Sequence, residues 1–161
     1  MTGRRLFLIL LGAALAAVLA RVAAEWWRPD ADRVRLLIDD VAEGARQRNM
    51  VRMLRRVSGA RYRDGYHENK NMLAGSLGML FRQFRNVEVD IPEPPAVQVD
   101  RGAGAATARL RAKVRLGLAA DGPATDEGIE RARGTDVWIV TLAKDGRHWF
   151  ITGVDVPEAD R

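Results

Sequence analysis

The chain has no cysteine. That excludes disulfides, thiolate metal sites, a cysteine nucleophile and a lipid-bearing N-terminal cysteine. It has two histidines, His67 and His148. No zinc-ligand spacing, phosphate-binding Walker loop or Gly-x-Ser-x-Gly elbow occurs, and no metal or cofactor is expected. Acids are absent from residues 1–24 and again from Arg46 to Arg63. The formal charge of +5 over 161 residues overstates the basic character of the body. Without Arg4, Arg5 and Arg21 it falls to +2, too little to argue nucleic-acid binding. The length suits one core and not two domains.

What is present begins with Arg4-Arg5 and the apolar run Leu6 to Ala20. A basic start before an apolar stretch reads as a signal peptide, with small-residue sites near Ala20 and Ala24. Extended to Ala24, the run nears the roughly 20 residues of a membrane span. Arg21 would then snorkel to the head groups, and Trp26-Trp27 would form an interfacial belt. Residues 1–28 are therefore expected to be a signal-anchor or a signal peptide, with residues 6–24 in the membrane. The domain is expected outside the cytoplasm, on an inner membrane or secreted after cleavage.

Residues 29–156 read as an α+β domain, with 157–161 as a tail. Asp30 or Asp32 is placed to cap a first helix, on which Val34, Leu37, Ile38, Val41 and Ala45 form one apolar stripe. Asn49 is placed to cap a second, Met50 to Val57. Its basic side, Arg48, Arg52, Arg55 and Arg56, reads as a solvated face neutralised by nearby acids. The third runs from Asn69 or Lys70 to Arg85, with Leu73, Leu77, Leu80, Phe81 and Phe84 inward. Strands follow at Val87–Ile91 and Ala96–Asp100. From Thr107 to Leu118 apolar residues alternate with basic or small ones, the period of one long half-buried strand. Asp145-Gly146 predicts a hairpin between Thr135–Lys144 and Arg147–Asp155. With those two residues as the loop, Lys144 opposes Arg147, Leu142 opposes Trp149, Val140 opposes Ile151 and Trp138 opposes Gly153. Trp138, Val140, Leu142, Trp149 and Ile151 then face inward beside Leu110, Val114, Leu116 and Leu118.

Three helices, a short strand and long antiparallel strands ending in an Asp-Gly hairpin make a recognisable order. With Arg48-Asn49-Met50-Val51, Val57 to Asp64, and Lys144 to Ile151, the stretch Asp32 to Val154 resembles the nuclear transport factor 2-like superfamily, which includes ketosteroid isomerase and SnoaL-type cyclases. The resemblance implies three helices packed in the concave face of a curved antiparallel sheet, a cone with a pocket at its open end. Ketosteroid isomerases set a carboxylate base and a tyrosine acid in that pocket. The base position falls on Asp64; the tyrosine position falls near Val41, where this chain has no tyrosine. No catalytic residue is assigned on these grounds.

Two classes of function fit. One is an exported, noncatalytic domain that binds a partner protein or small ligand. The other is a small-molecule enzyme or ligand binder using the cone pocket, with Tyr62, Asp64, Tyr66 and His67 at its mouth and Trp138 and Trp149 beside it. In the enzyme case Asp64 should face a cavity with its pKa raised. On the outer sheet face, Ile139 and Phe150 are expected beside a basic stripe of Arg109, Arg111, Lys113 and Arg115. Apolar side chains beside charge suit a homodimer or membrane-complex interface.

Overall fold

The computed structural model describes residues 13, 16–20, 28–118 and 137–156. Most of the N-terminal run, the loop after Leu118 and the tail lie outside these residues. Among the described residues no helix is long and apolar enough to cross a membrane.

Helix α1 spans Asp30–Arg46 and buries Val34, Leu37 and Ile38 of the expected stripe together with Ala42, while Val41 and Ala45 are half-buried. Neither Asp30 nor Asp32 caps it: Pro29 holds the N-cap position and no side-chain cap forms. Both carboxylates fall inside the first turn, where they still face the positive end of the helix dipole. Asp32 pairs with Arg35 at 2.7 Å. Asp30 reaches across the domain and accepts from Lys144 Nζ at 2.9 Å and Trp149 Nε1 at 3.2 Å.

Helix α2 spans Met50–Leu54, and Asn49 caps it by accepting from the Arg52 amide at 2.9 Å. It ends short of Val57 because the next residues bind a strand instead. The Ile151 amide donates to Arg56 O at 2.8 Å, and the Ser58 amide donates to Ile151 O at 2.9 Å. The basic side of α2 converges on one acid of α1. Arg52, Arg55 and Arg56 reach Asp40 at 2.8, 3.2 and 2.7 Å. Burial alone would raise the Asp40 pKa, but hydrogen bonds from Arg56, Arg52 and Arg55 outweigh it and hold the carboxyl well below its usual range.

Helix α3 spans Lys70–Gln83; Asn69 caps it by accepting from the Asn71 and Met72 amides. It stops before Arg85, whose amide donates to Gly117 O at 2.8 Å and so already belongs to a sheet.

The strands are β1 (Asn86–Asp90), β2 (Ala96–Asp100), β3 (Ala105–Arg111), β4 (Lys113–Gly117), β5 (Val137–Asp145) and β6 (His148–Asp155). The long alternating stretch is thus not one strand. It breaks at Ala112, and its halves join different antiparallel sheets, β2-β3-β5-β6 and β1-β4. The alternation survives the break, which is why the period alone did not reveal it. The Ala112 carbonyl, at the corner, accepts from Trp138 Nε1 at 3.0 Å, so the change of sheet leaves no orphaned acceptor there.

The hairpin loop is Gly146-Arg147: Asp145 opposes His148, Lys144 opposes Trp149 and Leu142 opposes Ile151. Gly146 has φ +56°, a conformation glycine adopts without strain at the first loop position. The register therefore differs from the expected one by two residues near the turn. A shift of two preserves the side-chain face, so Val140, Leu142, Trp149 and Ile151 are all buried. A bulge between Thr141 and Leu142 then places Gly153 opposite Thr141 and Val154 opposite Val140.

The edge of β6 is covered by residues 56–63. Besides the Arg56 and Ser58 bonds, the Arg63 amide donates to Thr152 O at 2.9 Å. Covering the edge removes a template for intermolecular pairing. The main core lies between α1 and the four-stranded sheet, from Val34 and Leu37 to Leu142 and Trp149. A second cluster joins Phe81 to Val87 and Leu116, with Val114 partly buried against it. Leu118, expected inward, is 70% exposed, one residue past the end of β4.

The outer face also differs from expectation. Arg109 lies opposite Ile139 and Arg111 opposite Val137. Lys113 and Arg115, however, sit on the other sheet, opposite Asp90 and Glu88. The basic stripe is therefore divided at Ala112, and its second half faces acids. Ile139 and Phe150 are half-buried.

Candidate functional site

A cavity of about 520 Å³ lies among the three helices and both sheets. Its size falls within the range of roughly 300–1,000 Å³ common for small-molecule sites. Most of its wall is apolar. Ile38, Val41 and Ala42 come from α1, Leu73, Leu77, Leu80 and Phe81 from α3, and Val87, Val89, Val114 and Leu116 from the two-stranded sheet. The polar side chains in its wall are Tyr62, Asp64, Tyr66, His67, Ser76 and the indole of Trp138. A second crevice of about 380 Å³ runs between Arg46 and strands β1 and β4. Its polar groups are surface charges.

The polar wall is built by a short loop and one helix. Asp64 Oδ1 accepts from the amides of Tyr66 at 2.8 Å and His67 at 2.6 Å, closing a local turn. Its carboxylate also lies 3.0 Å from His67 Nδ1 and accepts from the Tyr62 hydroxyl. His67 Nε2 lies 2.9 Å from Ser76 Oγ on α3. The Asp64 side chain is 7% exposed and that of His67 19%. Tyr62 is 3% exposed, while Tyr66 is 68% exposed and stands at the rim.

The electrostatics assign roles within this chain of contacts. Burial alone would raise the Asp64 pKa; hydrogen bonds from the Tyr62 hydroxyl, the His67 ring and the two amides more than compensate and lower it. Burial pushes the Tyr62 phenol up, and donating to Asp64 pushes it further, so Tyr62 stays protonated. Asp64 is thus an ionised acceptor with its lone pairs occupied. That is the reverse of the raised pKa expected of a carboxylate base working near neutral pH. Its surroundings suit an anion that orients His67. Because an ionised Asp64 can only accept, neutral His67 carries its proton on Nδ1. Nε2 then accepts from the Ser76 hydroxyl.

Of the sequence-derived pocket residues, Tyr62, Asp64, Tyr66, His67 and Trp138 line the cavity. Trp149 does not. It is 4% exposed, lies across from Lys144, and gives its indole N–H to Asp30 in the main core. Sequence reasoning missed Ser76. The signal was a lone hydroxyl in the i, i+3, i+4, i+7 series Leu73, Ser76, Leu77, Leu80. Among the described residues no group of three or more histidines and acids could hold a metal ion.

No family model matches the chain, and no curated protein matches it in sequence. Solved structures do. A nuclear transport factor 2-like superfamily protein from Salmonella enterica superposes with a TM-score of 0.62 at 12% identity, over 81% of this chain and 93% of that one. The fold is that of the nuclear transport factor 2-like superfamily. A proposed scytalone dehydratase from Novosphingobium aromaticivorans shares this nuclear transport factor 2-like fold, with a TM-score of 0.57 at 9% identity, over 76% of this chain and 79% of that one. Bd1075 of Bdellovibrio bacteriovorus matches 77% of this chain with a TM-score of 0.59 at 8% identity. This chain spans 39% of the length of Bd1075. At these identities the likeness concerns the fold.

Proposed function

We propose that this domain binds an amphipathic small molecule in the cone cavity, its apolar body against the leucines of α3 and its polar end at Asp64, His67 and Ser76. The observation that carries the reading is the cavity itself: about 520 Å³ of mostly apolar wall, with Tyr62, Asp64, His67 and Ser76 joined by hydrogen bonds in one part of it. Apolar lining supplies affinity in proportion to buried area, and a few fixed polar groups supply orientation. Binding of an environment-sensitive apolar dye such as Nile red to the full chain tests it. Leu77, half-buried in the cavity wall, gives the control. Leu77→Trp should fill the cavity and abolish the dye signal without lowering the melting temperature. Equal dye binding by wild type and Leu77→Trp would refute the reading.

The proposal includes a location. The domain works outside the cytoplasm behind an N-terminal membrane segment. Supporting this are Arg4-Arg5 ahead of the run Leu6–Ala20, and the exposure of Val18 at 58% and Leu19 at 60% in the helical stretch 16–20. The full chain should stay with membranes through carbonate extraction; release into the soluble fraction would remove the anchor.

A further inference from the structure

We propose that Ser76 is a nucleophile, activated by His67 and Asp64, that accepts an acyl group from an ester whose apolar chain fills the cavity. The inference rests on the binding reading above and adds a reaction to it.

The geometry carries it. A serine nucleophile needs a base within hydrogen-bond reach and a third group that fixes the base. Ser76 Oγ lies 2.9 Å from His67 Nε2, and His67 Nδ1 lies 3.0 Å from Asp64. The order acid, imidazole, hydroxyl is recognised by roles and distances and not by position in the chain. A serine inside a helix commonly turns its hydroxyl back to the carbonyl one turn earlier. Here the hydroxyl meets an imidazole from another segment. It also sits within the leucine face that lines the cavity, one residue from Leu77 and three from Leu73. An apolar acyl chain lying along that face would bring its carbonyl carbon to the Ser76 end.

The step balances. Ser76 Oγ attacks the ester carbonyl carbon as its proton passes to His67 Nε2. The bond from carbonyl carbon to alcohol oxygen breaks, and the departing alkoxide takes that proton from His67. The acyl group remains on Ser76 as an ester. Water then attacks the same carbon, giving one proton to His67; Ser76 leaves, regains the proton, and a carboxylic acid is released. Asp64 stays ionised throughout and holds the imidazolium.

The test uses the full chain with p-nitrophenyl hexanoate, read as a burst of p-nitrophenol and as the mass of the intact protein. The expected result is one hexanoyl group, located on Ser76 by peptide mapping. Ser76→Ala should lose both the burst and the adduct, and His67→Ala should acylate about 10²–10⁴-fold more slowly. Nile red binding separates the two readings. Dye binding by wild type together with an adduct on Ser76 supports the proposal. Dye binding by wild type with no adduct, or an adduct on another residue, overturns the nucleophile and leaves the binding reading standing. Failure of both overturns both.

Discussion

Gly153→Ala tests how the loop that carries the polar wall is held. Gly153 is buried where residues 61–63 cross β6. A Cβ built there would stand 2.7 Å from Arg63 O and 2.8 Å from Thr141 Oγ1. Carbon and oxygen do not approach so closely, so something must move. Thr141 is exposed and can turn its hydroxyl away. The Arg63 carbonyl is backbone, and its own amide is bonded to Thr152 O at 2.9 Å. Overpacking of this kind costs about 1–3 kcal/mol, and loss of the Arg63 bond adds roughly 1 kcal/mol. The expected destabilisation is about 2–4 kcal/mol, or a melting temperature lower by about 6–16 °C. Circular dichroism melts and urea titrations of the full chain measure it. Adding Thr141→Ala should recover less than half of the loss, because the carbonyl is the harder wall. Gly75→Ala is the control: nothing lies within 4 Å of its Cβ position, and helix propensity should stabilise it by about 1 kcal/mol. A Gly153→Ala melt within about 0.5 kcal/mol of wild type would refute the close-approach argument, an ordinary surface substitution falling in that range.

Two further perturbations separate core from surface. Trp149→Ala removes a buried indole and should cost about 3–5 kcal/mol. Trp149→Phe keeps a ring but loses the bond to Asp30, so about 1 kcal/mol of that loss should belong to the hydrogen bond; equal melts for wild type and Trp149→Ala would place the residue outside the core. Asp40→Asn leaves Arg52, Arg55 and Arg56 without their carboxylate and should cost about 1–3 kcal/mol at neutral pH. The folded pKa of Asp40 is depressed. Its ionisation therefore stabilises the fold above the unfolded value near 4, and this contribution is lost as pH falls below it. The gap between wild type and Asp40→Asn should narrow in urea titrations from pH 5 down to pH 2; a gap that does not change with pH would count against the ion cluster.

The elements were legible where one local signal decides them. Asn49 and Asn69 each sit one residue before a helix and cap it, and a side-chain acceptor ahead of an apolar period is a strictly local device. Helix ends were less legible because competing partners came from elsewhere: Ile151 draws Arg56 and Ser58 out of α2, and Gly117 draws Arg85 out of α3. The break at Ala112 was invisible because the residue is apolar and small on both readings, and the period of two runs through it unchanged. The hairpin register depended on which of two adjacent pairs forms the loop. Both keep the same faces, so Val140, Leu142, Trp149 and Ile151 were read as buried from the wrong pairs, while Trp138 is only half-buried.

The site shows the same division between local and distant causes. Asp64, Tyr66 and His67 are bound by bonds spanning two or three residues, and a cluster of polar and aromatic residues in a loop announces such a turn. Tyr62 turned inward because its neighbour Arg63 is tied to β6. Ser76 gave no such sign, since a serine in a helix is common and its meaning depends on what faces it nine residues back along the chain. The raised pKa expected of Asp64 in the enzyme case is absent for a local reason. Tyr62, Tyr66 and His67 all donate to it, and a carboxylate so well satisfied is a poor proton acceptor. The same bonds that deprive Asp64 of basicity fix the imidazole with Nε2 toward Ser76. On the proposal above, the Ser76 proton passes to His67, 2.9 Å away, and the part of Asp64 is to keep that imidazole in place.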